Sequence, residues 1–195
     1  MRGMIRALLL SVVALCGTSA SAAEIQLGVA EHDSSILGFT GSSAKERSVA
    51  LVAGVVSPKI DALDFILAPR LYAGGALNLE GETSYGGGGL LWRQSATDRL
   101  YVQGQLGLVV HDGTRMIPRP SNMAELPAFE ARNRTEIEFG SRVLFDIQVA
   151  GGVEVSESWA AELFWQHLSH GKILSSGPNE GLDSWGVRAV YRFGE

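Results

Sequence analysis

Apolar and polar residues alternate with a period of two along almost the whole chain after residue 24. Ile25, Leu27 and Val29 alternate with Gln26 and Gly28, and Val49, Leu51, Ala53 and Val55 with smaller residues before the turn Ser57-Pro58-Lys59-Ile60-Asp61. This period puts successive side chains on opposite faces of a strand. A long third strand is predicted from Ala62 to Leu79, with Pro69 and Gly74-Gly75 marking a bend or bulge within it. Further strands are predicted over Tyr85–Arg93, Leu100–Val110, Phe139–Val155, Trp159–Leu168 and Asp183–Phe193. The total is eight, an even number of antiparallel segments, each about as long as a tilted bilayer crossing requires.

The connections alternate in length. Those after the second, fourth and sixth strands are short (Ser57 to Asp61, Gln94 to Asp98, Ser156 to Ser158), and the longest on the other side runs from Asp112 to Glu136. Short turns at one end and long loops at the other are typical of outer-membrane barrels. The polar phase reads as a lumen: Gln103, Gln105, Arg142, Asp146, Gln148, Glu162, Gln166, Arg188 and Arg192. Trp92, Trp159, Trp165, Trp185, Tyr191 and Phe193 fall near strand ends, where interfacial aromatics belong. The pattern therefore predicts an all-β protein, an eight-stranded antiparallel transmembrane β-barrel of the outer membrane. A soluble lipid-binding barrel with its apolar face inward is the competing architecture, and a non-enzymatic structural membrane barrel the competing role.

The first residues set the compartment. Arg2 and Arg6 precede the apolar run Ala7–Leu15 and the small-residue site Ser21-Ala22-Ala23, which reads as a secretory signal peptide over 1–23 ahead of a barrel domain over 24–195. The single cysteine, Cys16, follows the bulky Leu15 where a lipoprotein signal takes a small residue. Without it the exported chain has no disulfide framework, so stability must come from packing and a closed sheet. Removing Arg2 and Arg6 from sixteen basic residues leaves fourteen against twenty-one acidic ones, an acidic balance that excludes nucleic acid as a partner. The composition is compatible with a homodimer as with a monomer.

Chemistry concentrates near the C-terminus, in Phe164-Trp165-Gln166-His167-Leu168-Ser169-His170 followed by Gly177-Pro178-Asn179-Glu180-Gly181-Leu182-Asp183. On a strand, His167 and Ser169 share a face with Cα atoms about 7 Å apart. Ser169 suits a nucleophile, His167 a general base, and Asp183, returning on the next antiparallel strand, the acid that orients the imidazole. Asn179 offers an amide to an oxyanion, with backbone N–H groups near Gly171 or Gly181. His-x-Ser is a common spacing, and on spacing alone a pair of polar residues at a barrel rim is the favoured reading. The three-residue offset of His167 and His170 puts them on opposite faces, so no metal site is expected. All three triad candidates share the apolar phase, which on a membrane barrel faces lipid. Arg115, Arg119, Arg132 and Arg134 in the longest loop match phosphate geometry, although a solvated loop accounts for them too.

The segment Phe164–Trp185 resembles the hallmark of the lipid A 3-O-deacylase (PagL) family, approximately H-[YIL]-S-N followed by P-N-x-G-x-[ED]. Phe139–Phe145 is similar to that family's sixth-strand segment, and Pro69–Gly75 to its third strand. The resemblance implies an outer-membrane esterase with no cofactor, acting on lipid A (the lipid anchor of lipopolysaccharide) among the outer-membrane lipids. It implies His167 as base, Ser169 as nucleophile, Asp183 as acid and Asn179 as an oxyanion donor. The chain departs from the family pattern in four ways. Asp183 replaces the usual glutamate, Glu180 is an alternative acid, His170 stands at an oxyanion or substrate position usually held by asparagine, and the Ser169–Asp183 loop is about two residues longer.

Overall fold

The computed structural model describes residues 23–36 and 44–193. The proposed signal peptide lies outside the described residues except for Ala23, which opens the first strand. The strands are β1 (Ala23–His32), β2 (Ser48–Lys59), β3 (Arg70–Asn78), β4 (Tyr85–Ser95), β5 (Leu100–His111), β6 (Val143–Glu154), β7 (Trp159–Ser169) and β8 (Leu182–Phe193). Each pairs antiparallel with its neighbour, and β8 closes on β1 through a register running from Ala23 opposite Phe193 to Glu31 opposite Trp185. Closure leaves no sheet edge, as a bilayer requires of any β structure that crosses it.

The alternation resolves into an apolar exterior and a charged lumen. Leu27, Leu51, Leu106, Val149, Leu163 and Val187 are exposed on the outside, while Glu24, Gln105, Asp146, Glu162 and Arg188 are buried within. This distribution is the reverse of a soluble carrier barrel. Asp146 accepts hydrogen bonds from Tyr72 (2.6 Å), Gln105 (3.0 Å) and Gln166 (2.7 Å). Lower in the lumen Glu162 binds Arg188 (2.6 Å) and Tyr101 (2.7 Å), and Glu24 binds Arg70 and Arg93, both at 2.6 Å. Buried charges persist only when paired and hydrogen-bonded in this way. The tyrosines, Glu24, Arg70 and Arg93 were absent from the predicted lumen set.

Several predicted boundaries move. Residues 61–66 form a 3₁₀ helix rather than strand, and β3 begins at Arg70. Leu67 and Ala68 sit at φ +68° and +42°, which breaks the extended path before Pro69. β2 runs through the predicted turn to Lys59, absorbing Pro58 at a register shift between Val56 and Lys59. As a result the 60–69 connection is longer than 79–84 at the opposite end, so the loop asymmetry is less regular than the sequence pattern predicts. β6 starts at Val143 because Gly140, at φ +67°, turns the chain. Arg142 therefore does not point into the lumen; its guanidinium donates to the carbonyls of His111 (3.0 Å) and Gly113 (3.1 Å). The long loop also contains a helix, α1 (Leu126–Thr135), with Pro127 in its first turn and an Arg132–Glu136 pair across its last.

Candidate functional site

β7 and β8 hold the site in register. His167 lies directly opposite Asp183, and Gln166 and Leu168 lie opposite Ser184 and Leu182. His167 Nδ1 and Asp183 Oδ1 are 2.7 Å apart, the distance of a strong charge-assisted hydrogen bond. With Nδ1–H donating to the carboxylate, Nε2 is left as the basic nitrogen. Ser169 lies two residues further along β7, on the same outward face as His167 and opposite Phe145 on β6. Its link to His167 is not among the hydrogen bonds of the described residues.

Asp183 is on the outward phase yet only 2% exposed. The segment after β1 crosses it, the Ser34 N–H donating to the Asp183 carbonyl at 2.8 Å. Its burial keeps water from the carboxylate, which strengthens its bond to the imidazole. Trp165, two residues before His167 on the same face, stacks near the imidazole with the planes 15° apart. On another side lies Gly181, at φ +70°, where a Cβ would come within 3.0 Å of His167 Cε1. The ring is thus held between an aromatic, a carboxylate and a turn where even a Cβ would press on it.

The loop between β7 and β8 is folded around His170. This residue is fully buried, and its ring is occupied on both sides: Nδ1 accepts the Lys172 N–H (3.0 Å) and Nε2 donates to the Pro178 carbonyl (2.9 Å). Its backbone N–H donates to Asn179 Oδ1 at 3.0 Å. Both ring nitrogens of this predicted oxyanion or substrate residue are therefore engaged, and none of its surface is exposed. Its place is as the brace of the loop. Asn179, with Oδ1 engaged, keeps its Nδ2 amide as a donor. Glu180 is turned to a different task. Its carboxylate binds Lys45 at 2.6 Å and accepts the Glu138 N–H at 2.8 Å, while Asp183 alone of the two acids bonds to His167.

Glu180 belongs to a chain of carboxylates that ties the loops at this end together. Glu46 accepts the N–H groups of Ile137 (3.1 Å) and Thr83 (3.2 Å), Asp33 accepts that of Glu46 (2.9 Å), and Glu138 accepts that of Ile117 (2.7 Å). Burial alone would raise the Glu46 pKa, but His32 Nε2 at 3.6 Å, Thr83 and the Ile137 N–H outweigh it and hold the carboxyl below the ordinary value. Sequence reasoning missed this cap, since its acidic residues sit in loops with no periodicity to mark them as buried. Of the four loop arginines, Arg119 pairs with Glu138 (3.0 Å) and Arg132 with Glu136 (2.6 Å), while Arg115 and Arg134 are exposed.

The family model described as "Lipid A 3-O-deacylase (PagL)" matches residues 69–192, the greater part of the chain. The structure titled "Crystal structure of the outer membrane enzyme PagL" is similar over 88% of this chain and 99% of its own, at TM-score 0.54 and 10% identity. A designed transmembrane β-barrel (TM-score 0.47, 11% identity, 90% and 98% coverage) has a looser likeness. So has the outer membrane protein Ail of Yersinia pestis (TM-score 0.47, 9% identity, 88% and 99% coverage). Among curated proteins, no sequence matches at a significant level.

Proposed function

The chain belongs to the lipid A 3-O-deacylase (PagL) family, and from that premise we propose that Ser169, His167 and Asp183 carry out its ester hydrolysis. The single observation that supports this assignment most is the His167–Asp183 hydrogen bond on the outward, lipid-facing side of the barrel. A buried carboxylate bonded to an imidazole beside a serine has the chemistry of an acyl-transfer relay.

In this reading the lipid ester arrives laterally, from the leaflet that surrounds the loop-bearing end of β7. Rotation of the Ser169 side chain brings its hydroxyl to His167 Nε2, and hydrogen bonds of this kind commonly tighten only with substrate in place. Ser169 Oγ attacks the carbonyl carbon of the 3-linked acyl ester as His167 takes its proton. Asp183 stabilises the imidazolium and fixes its tautomer. Asn179 Nδ2 and a backbone N–H near Gly171 receive the oxyanion. Collapse breaks the bond to the lipid A 3-oxygen, which leaves with the proton from His167. Water, deprotonated by the same base, then hydrolyses the acyl-serine and releases a 3-hydroxy fatty acid.

Mass spectrometry of lipid A from cells expressing the chain tests the proposal. The expected result is loss of one 3-hydroxyacyl mass with the wild type and none with Ser169→Ala, while both run as heat-modifiable folded barrels. Continued deacylation by folded Ser169→Ala would remove Ser169 from the mechanism.

A further inference from the structure

At the end of the barrel opposite the site, the 60–69 connection projects apolar side chains that nothing among the described residues covers. Phe65 is 81% and Leu67 84% exposed, and Ile66 is also exposed. Ile60 N–H closes the connection onto the Pro69 carbonyl (2.9 Å), and Leu67 and Ala68 N–H groups donate to Asp64 (2.9 Å) and Leu63 (3.1 Å). Leu67 and Ala68 both occupy the left-handed region, which side chains with a Cβ rarely adopt. The backbone is thus held in a disfavoured conformation that carries Phe65 and Leu67 outward.

The projection continues the lipid-facing surface of the barrel. Leu71, on the outer face of β3, is 53% exposed. Trp92, on the outer face of β4, donates its indole N–H to the Ile66 carbonyl at 2.8 Å. Tryptophan with an apolar ring toward lipid and its N–H on a polar group is the side chain of the membrane interface. Trp159 and Tyr191, packed with centroids 4.8 Å apart, lie opposite each other on β7 and β8 at the same end of the barrel. Asp61 and Asp64 give the segment the mixed character of an element lying at the headgroup boundary.

We propose that residues 61–68 form a membrane hook, inserting Phe65 and Leu67 among the acyl chains of the leaflet opposite the catalytic end. Its partner is the lipid of that leaflet, and continuity with the lipid-facing belt supports that occupant. The hook fixes the depth of the barrel, and through the rigid strands the height of His167 and Ser169 at the other end. It does not depend on the chemistry assigned to those residues.

Spin labelling tests this directly. Phe65→Cys is made in the full chain carrying Cys16→Ser, so that the label site is unique. Leu67→Cys serves as a second site should the first not fold, and Thr97→Cys on the exposed 96–99 turn is the aqueous control. Each heat-modifiable protein is refolded into dioleoylphosphatidylcholine vesicles, and the label's collision rates with oxygen and with a water-soluble nickel chelate are measured. The hook requires labels at 65 or 67 to collide at least several-fold more with oxygen than with nickel, and the label at 97 to show the opposite order. A nickel-accessible label at both 65 and 67, or one shielded from both reagents by protein, would overturn the proposal.

Discussion

Gly181 offers a direct test of how tightly the imidazole is positioned. A Cβ at this position would approach His167 Cε1 to 3.0 Å and the Leu168 carbonyl to 3.4 Å. In Gly181→Ala the carbonyl is part of the β7–β8 ladder and cannot yield, so the ring must move by a few tenths of an ångström. Its Nδ1 is tethered to Asp183 at 2.7 Å, so the motion swings Nε2, the atom that must receive the serine proton. A misplacement of 1 Å is worth roughly 100-fold in rate, so a few tenths corresponds to about 3- to 10-fold in kcat, or about 0.7–1.4 kcal/mol of transition-state stabilisation. The backbone effect is separable. Gly181 is at φ +70° and alanine there costs about 1–2 kcal/mol of folding stability. Gly81, at φ +91° on a distant loop with open space around it, carries the same kind of cost without touching the site. The assay is release of the 3-linked acyl chain from lipid A in mixed micelles, alongside urea unfolding of both alanine variants. The expected outcome is comparable destabilisation in both, with kcat reduced only in Gly181→Ala and KM nearly unchanged. Equal kcat in the two folded variants would show that Gly181 does not set the position of the base.

Two further outcomes follow from the same geometry. Asp183→Asn keeps the shape of the acid but presents the wrong group to Nδ1, and kcat should fall about 10³- to 10⁴-fold. Glu180→Gln, which weakens only the Lys45 latch, should cost far less; the reverse ranking in an acyl-release assay would exchange the roles of the two acids. The loop cap should also be acid-sensitive. Glu46 has its folded pKa below the ordinary 4.5, held there by His32, Thr83 and the Ile137 N–H against the effect of burial. A depressed carboxyl stabilises the fold fully above its unfolded pKa and loses that contribution as pH falls through the lower folded value. Limited proteolysis of the outer loops in detergent should therefore show protection from neutrality down to the ordinary carboxylate range and loss below it. In Glu46→Gln cleavage should be faster at pH 7 and depend less on acid. An unchanged pH profile in that variant would take Glu46 out of the cap.

The period-two pattern by itself determined the barrel, because a two-faced strand in a bilayer has one viable assembly: apolar side out, polar side in, and closed on itself. It also determined the phase of His167, Ser169 and Asp183, since alternation fixes which residues of β7 and β8 face lipid. Tertiary structure decided what alternation does not encode. Register placed Asp183 opposite His167, packing buried the acid, and Lys45 paired with Glu180. His170 is a brace because Lys172 and Pro178 fold back onto both ring nitrogens, a consequence of a loop path that has no periodic signal. The lumen tyrosines and the Arg70–Glu24–Arg93 cluster were hidden for a related reason. They are residues of strand ends and glycine-rich stretches, whose partners lie across the barrel and not along the chain. A 3₁₀ helix over 61–66 replaced a predicted strand because two residues entered the left-handed region before Pro69. Local propensity disfavours that choice, and the surrounding hydrogen bonds and the Trp92 tether oppose that propensity.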